Sequence, residues 1–505
     1  MKYIIAHDLG TSGNKASLFS ESGKLIASRV HPYGAHYFNG TWVEQDADDW
    51  WNAVCMSTKD LLGSTGTDPG TVAAVSFSGQ MMGCLCVDSN GDPLRPAIIW
   101  ADQRAQEQAR QIEQHISQLD FYHIVGHRNT ASYGIQKLMW VRDNEPEIYE
   151  RTHVVLNAKD YIVFRLTGHF YTDYSDGNSM GCFDINKRSW SEELLSYAGI
   201  FQDKLPECRP STFCAGTVTK AAAKECGLAE GTKVIIGSGD GVAASVGAGS
   251  VEPGKTYCCL GTSAWVMTAS EKPIFDEQMR TVNWAHAVPD LYAPNGTMQY
   301  AGGSYSWVKN VICEMESFRA KENNTSAYDY MNDEIAQSPP GANGVVFLPY
   351  LLGERAPRWD PFAKGAWLGM QPETTRADML RSVLEGITLN LGIILDILKA
   401  QVPIGEITVL GGGAKGESWQ RILSGIFGTK ILVPTVLEEA SSMGAAVIAG
   451  VGAGLFPDFR VINDFMEINT VLEPKPEEVE FYRDLRNKFD DYYFALKNTY
   501  EKYAQ

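Results

Sequence analysis

Residues 237–240 read Gly-Ser-Gly-Asp and follow the apolar run Val234, Ile235, Ile236. That run reads as a short buried strand, and the small or apolar residues 242–246 read as the first turns of a buried helix. Asp240 therefore stands at a strand-to-helix corner walled by residues with almost no side chain. Such a corner gives a ligand close access to one carboxylate, which can accept a proton from an attacking hydroxyl. It is equally the place for a helix N-cap, a role Asp favours, and this segment alone leaves both roles open.

A second acidic position, Asp8, opens the turn Asp8-Leu-Gly-Thr-Ser-Gly-Asn-Lys15 between two apolar segments. Glycines there permit positive φ and leave backbone N–H groups free to form an anion nest. Gly10, Thr11, Ser12 and Lys15 are the candidate phosphate donors. Half a chain later, Leu260-Gly-Thr-Ser263 repeats Leu9-Gly-Thr-Ser12 in the same strand context, so a duplicated domain is expected. Gly261, Thr262 and Ser263 would be a second set of phosphate donors. Gly411-Gly-Gly-Ala-Lys-Gly416 joins a strand over 406–410 to a helix over 417–427. There Gly411, Gly412, Gly413, Ala414 and Lys415 would form a nucleoside loop. Two phosphate turns, an acidic corner and a nucleoside loop together describe an ATP-dependent phosphotransferase. Asp240 is the candidate base. Asp8 and Asp240 are the candidate residues for Mg²⁺, Asp8 acting through water.

Three further motifs compete. Gly249 to Thr256 matches the P-loop spacing, but a helix precedes it and a strand follows, the reverse of what a P-loop needs. Pro253 also removes a donor from that loop. Gly177-Asn-Ser-Met-Gly181 matches the nucleophile elbow, yet its flanks read as strand and turn with no helix after. The glycines 411, 413 and 416 match a dinucleotide fingerprint, with Glu438 or Glu439 at ribose distance. That makes a nicotinamide-dependent oxidoreductase the rival reading, though it leaves the paired Leu-Gly-Thr-Ser turns unexplained.

The elements that must hold these residues are α/β throughout. Helices are expected over 46–62, 135–143, 375–396, 417–427 and 441–453, and strands over 72–76, 256–267, 406–410 and 430–433. The 505 residues exceed one core. We expect a first domain at 1–248, a second at 249–455 and a helical extension at 456–505. A net charge of −18 argues against nucleic acid as a partner. No apolar run approaches the ~20 residues of a membrane span. The opening run 3–6 is too short for a signal peptide, and the ten cysteines show no zinc spacing. A cytoplasmic protein with reduced thiols is expected, and a homodimer is left open.

The motifs taken together resemble the FGGY family of carbohydrate kinases, most closely its xylulokinase branch. Gly365-Ala-Trp-Leu-Gly-Met370, continuing through residues 378–385, is similar to the family's C-terminal signature. Lys137-Leu-Met-Trp-Val-Arg-Asp-Asn144 is similar to the end of its N-terminal signature, with Gly134 a small departure. Pro349 to Pro357 resembles the family's Gly-Glu-Arg-x-Pro segment. The resemblance implies two ribonuclease-H-like, actin-like ATPase domains flanking a catalytic cleft, with ATP and Mg²⁺ as cofactors and a small sugar as substrate. It implies Asp240 as the base and Asp8 as the metal-linked aspartate. Gln80, Met81, Met82, Trp100, Asp102 and Asp240 fall at the sugar side. Met82 stands where xylulokinases usually carry His, and Gly241 where they usually carry Asn. A ketopentose, with D-xylulose first, is the expected phosphate acceptor. Another ketose or polyol, or an actin-like or chaperone-like ATPase, remains the alternative.

Overall fold

The structure, a computed structural model, describes residues 1–503. Two mixed sheets organise it. In the first unit, β1 (Tyr3–Leu9), β2 (Gly13–Ser20) and β3 (Leu25–Pro32) form an antiparallel meander. After helix α1 (Ala47–Thr65), β4 (Val72–Gly79) lies parallel to the other side of β1, and β5 (Lys233–Ile235) lies parallel to β4. The order is β3-β2-β1-β4-β5. Helix α2 (Asp240–Gly247) and residues 248–255 then lead into the second unit. There β6 (Thr256–Leu260), β7 (Ala264–Thr268) and β8 (Tyr292–Met298) repeat the meander. Beyond helix α3 (Arg376–Lys399), β9 (Glu406–Leu410) and β10 (Lys430–Pro434) repeat the parallel half, in the order β8-β7-β6-β9-β10. The duplication expected from the two Leu-Gly-Thr-Ser turns is thus a repeated sheet topology.

Local chemistry sets the helix ends. Asp46 caps α1 by accepting the Asp48 N–H, and Gly66 ends it in the left-handed conformation. Thr375 and Asp378 form a capping box at the start of α3. Helix α3 is buried along almost its whole length, so the second unit's core is built around it.

Side chains alternate across the first sheet as strand geometry requires. Ile5, Leu9, Leu18 and Val75 face the core under α1. Ile4, Ala6, Phe19 and Ala74 face a different core, between the units. That second core is filled by α2 and by α4 (Ala440–Gly452), which packs against β1 and β4 of the first unit although it follows β10 of the second. The two helices cross at backbone contact. A side chain on Gly247 would meet the Ala440 carbonyl at 1.9 Å, and one on Gly444 would meet the Ala243 carbonyl at 1.8 Å.

Residues 456–505, expected as an extension, contribute to the second unit within the described residues. Ile468–Leu472 adds an edge strand to β10. Helix α5 (Pro476–Lys502) buries Tyr482, Leu485, Phe489 and Tyr493 in the same core as α3. Among the described residues, no helix is long and apolar enough to cross a membrane.

Candidate active site

The glycine-rich corner folds as its composition demands. Gly237 takes φ +81°, where any side chain would strike the Phe77 backbone. Ser238 and Gly239 pair with Ser78 and Gly79 at the end of β4. Gly239 is the N-cap of α2, which leaves Asp240 as the first helical residue and not the cap. The Asp240 carboxylate accepts the Gly241 N–H at 2.7 Å. The residue keeps solvent-exposed surface. Desolvation by the protein packed around the carboxylate, followed by the negative charge of Asp8, raises its pKa from the ordinary 3.8 to about 6.

Asp8 sits near the end of β1, directly across from Lys15 on β2. Ser78 donates to it at 2.8 Å. Burial pushes its carboxyl up, against the opposing pull of Lys15 and Ser78. Lys15 reaches across to the second unit. Its ammonium lies 3.1 Å from the Glu439 carboxylate and 3.1 Å from the Glu438 carbonyl. Lys415 pairs with the Glu438 carboxylate at 2.7 Å. Both lysines expected at the nucleotide are thus held by the acidic pair that the dinucleotide reading would have placed on a ribose.

The two phosphate-type turns match in detail. Each spans three residues between antiparallel strands, and each is closed by its first glycine: Gly10 N–H to Gly13 at 3.0 Å, and Gly261 N–H to Ser263 at 3.0 Å. Tyr33 and Gln45 fasten the carbonyls of Gly10 and Thr11 from behind. The second turn is backed by Gly302 and Gly303, whose N–H groups bond Gly261 and Thr262. A side chain on Gly302 would come within 2.4 Å of the Gly261 carbonyl. The Gly-Gly pair was the available sequence signal for this support, and it was missed. In the third loop, Gly411 has φ +86° and presses on the Leu260 backbone, and Gly413 presses on Leu260 and Trp419. Gly412 faces open space, with no heavy atom within 4 Å of where its Cβ would stand.

On the opposite wall, Met81 packs onto Gly239, beside the base. Met82 adopts φ +63°, an uncommon conformation for a side-chain-bearing residue. Gln80 donates to Gln45 at 2.6 Å, and its buried amide oxygen has no partner among the described residues. Trp100 is partly exposed and donates to the Thr11 hydroxyl at 2.9 Å. Asp102 departs from expectation. It is fully buried, and its oxygens accept the Val43 N–H, the Arg104 N–H and the Arg104 guanidinium. Arg104 in turn lies over Trp42 and pairs with Glu44. With its lone pairs so engaged, Asp102 is a structural carboxylate and not a sugar contact.

Lys137 does more than its signature position suggested. Fully buried, it donates to the carbonyls of Met82, Ile99 and Ser132, which ties three segments of this wall together. Burial lowers its pKa to about 7.

Residues 3–247 match the N-terminal domain of the FGGY family of carbohydrate kinases, and residues 256–453 match its C-terminal domain. The chain belongs to that family. It is similar to a xylulose kinase of Staphylococcus epidermidis, 33% identical over 98% of this chain and 97% of the relative. It is also similar to a gluconokinase of Bacillus licheniformis, 29% identical over 99% of this chain and 98% of the relative. Its fold superposes on the crystal structure of a xylulose kinase from Lactobacillus acidophilus with a TM-score of 0.92, at 26% identity and full coverage of both chains. This FGGY kinase is therefore an ATP-dependent sugar kinase with the two-domain, actin-like architecture. The alternatives of an oxidoreductase and of an actin-like or chaperone-like ATPase that acts on no sugar fall away.

The residues present fit Mg²⁺. Asp8 and Asp240 are hard oxygen donors of the kind Mg²⁺ takes, and the negative charge of Asp8 helps raise the Asp240 pKa. Among the described residues, no group of three or more His, Cys, Asp or Glu is placed to hold a metal ion.

Proposed function

We propose that this kinase transfers the γ-phosphoryl group of MgATP to a hydroxyl of a ketopentose, with D-xylulose as the acceptor. The observation that carries the reading is Asp240, an exposed carboxylate on the first helical residue after the glycine corner that ends beside β4, its pKa raised to about 6 in part by the charge of Asp8. Asp240 accepts the proton of the acceptor hydroxyl as that oxygen attacks the γ-phosphorus in line, and ADP departs with the bridging oxygen. Gly10 and Gly261 close the two turns with their own N–H groups, which leaves the backbone N–H groups and hydroxyls of Thr11, Ser12, Thr262 and Ser263 to meet the charge that develops on the phosphates. Lys15 joins them once it leaves Glu439. Gly411, Gly412, Gly413, Ala414 and Lys415 offer the adenosine a wall without obstructing side chains. Mg²⁺, when bound, neutralises phosphate charge, and Asp8 and Asp240 are the residues that would hold it. Gln80, Met81, Met82 and Trp100 line the acceptor side.

In this reading, 1–248 binds the sugar and supplies the base, 249–455 binds the nucleotide, and 456–505 completes the second core. A cytoplasmic location fits the ATP requirement and ten free thiols. D-xylulose is favoured by the xylulose kinases among the relatives, and the gluconokinase relative supplies the competing acceptor, D-gluconate. ADP release measured over D-xylulose, D-ribulose, D-gluconate, glycerol and longer polyols decides between them. A kcat/KM for D-gluconate above that for D-xylulose overturns the ketopentose assignment. ATP turnover indifferent to every acceptor overturns Asp240 as its base.

A further inference from the structure

The decoy motif at 177–181 overlaps the end of a short helix, Tyr174–Asn178, with Ser179 as its C-cap, and the helix sits against both the base and the acceptor wall. The Ser175 hydroxyl accepts the N–H of Gly239, the residue before Asp240, at 2.9 Å, and donates to Asp173 at 2.6 Å. The Ser179 hydroxyl accepts the N–H of Met82 at 3.0 Å and donates to the Asp176 carbonyl at 2.9 Å. Both serines are fully buried. Each hydroxyl spends its donor on its own helix and its acceptor on a backbone N–H at or beside a residue facing the cleft.

The helix itself is anchored from below. Asp173 caps it, accepting the N–H groups of Ser175 and Asp176, and also takes the Ser211 hydroxyl at 2.8 Å. The Lys159 ammonium lies 2.9 Å from Asp173, 2.7 Å from Asp160 and 3.1 Å from Asp176, and all four side chains are excluded from solvent. The Lys159 stem fills the space against Gly79, at the end of β4. At the far end, Asn178 accepts the Ala285 N–H of the second unit at 3.2 Å and donates to the Val125 carbonyl at 2.6 Å. A buried ionic cluster therefore fixes one rigid turn, and that turn holds the backbone on both sides of the reaction centre.

We propose that Ser175 and Ser179 are positioning residues for phosphoryl transfer: Ser175 sets the backbone that carries Asp240, and Ser179 sets the loop that carries Met82. The inference rests on Asp240 as the base. Displacement of a reacting group by ~1 Å costs up to about 10²-fold in rate, so Ser175→Ala should lower kcat tenfold or more while KM for ATP stays within about twofold. Ser179→Ala should raise KM for the sugar several-fold with little change in kcat. Ser211→Ala removes a bond of the same kind to the same Asp173 carboxylate but touches neither Gly239 nor Met82, and should keep wild-type kinetics. This crossed pattern supports the proposal.

Equal losses in Ser175→Ala and Ser211→Ala reduce the network to general stability and overturn the proposal, as does an unchanged sugar KM in Ser179→Ala. If Ser175→Ala does not fold, Ser175→Cys takes its place. It keeps the size of the side chain but accepts hydrogen bonds weakly, and a wild-type kcat in it also overturns the proposal. Asp240→Asn is measured alongside. An active Asp240→Asn sinks the base itself, whereas an inactive one beside normal Ser175 variants sinks only this inference.

Discussion

Titration of Asp240 gives the sharpest test of the proposed chemistry. Only the ionised carboxylate can accept a proton, so kcat/KM should follow its ionised fraction. With the pKa raised to about 6, about 90% of the enzyme is competent at pH 7 and about 10% at pH 5. The acid limb should therefore cost about tenfold between those two values. An Asp at its ordinary value would lose less than about a tenth of its activity over the same range. The assay is ADP release with both sugar and MgATP subsaturating, so that the free enzyme titrates, from pH 5 to 8, with the coupling enzymes shown not to limit. Asp240→Asn removes the base and should lower kcat by roughly 10²–10⁴-fold.

The same group makes a stability prediction of the opposite sign. A carboxyl whose folded pKa is raised binds its proton more tightly when folded, so its ionisation destabilises the fold as pH rises from about 4 to about 6. Asp240→Asn should therefore match or exceed the wild-type Tm at pH 7, and the gap should close below pH 4. A kcat/KM flat from pH 5 to 8, or near-normal turnover in Asp240→Asn, would refute the reasoning.

Gly412 faces open space, so Gly412→Val should fold with an unchanged Tm yet raise KM for ATP at least tenfold in steady-state kinetics; an unchanged KM removes the loop from the nucleotide site. A side chain on Gly241 would meet only the Met267 methyl at 3.6 Å, and His tolerates the positive φ of Met82 better than Met does. The double variant Met82→His with Gly241→Asn should therefore be accommodated, and should shift kcat/KM toward D-xylulose by tenfold or more, since each hydrogen bond at stake contributes about 1 kcal/mol. A wild type already as selective would show that these positions do not set specificity. Sugar plus a non-hydrolysable ATP analogue should draw Lys15 from Glu439 and reduce the radius of gyration in small-angle scattering; an unchanged radius counts against closure.

The sequence exposed the parts of the site that depend on local rules. Glycines with acids and hydroxyls at fixed offsets made both phosphate-type turns and the Asp240 corner legible, because a tight turn admits few residue types. The repeated Leu-Gly-Thr-Ser signalled a repeated sheet. What stayed hidden depends on contacts between distant residues. Asp102 matches a family position near the sugar, but its carboxylate is claimed by Val43, a strand residue 59 positions away. The helix Tyr174–Asn178 has only five residues and no apolar period, so nothing in the sequence marked it as a helix. Its hold on Gly239 and Met82 spans more than 60 residues in each case. At the border between the units Gly247 is pinned against the Ala440 backbone, a contact between distant residues, while Gly249 and Gly254 take the positive φ values there.

Helix α4 leaves the second unit to cover one face of the first sheet, and this has a consequence for how the chain is made. During synthesis, β1 and β4 appear early, but Ile4, Ala6, Phe19 and Ala74 keep an uncovered apolar face until residues 440–452 have left the ribosome. The N-terminal half should therefore linger as a sticky, chaperone-dependent intermediate. Fragments ending before residue 440 should aggregate, and those reaching past 452 should regain solubility sharply.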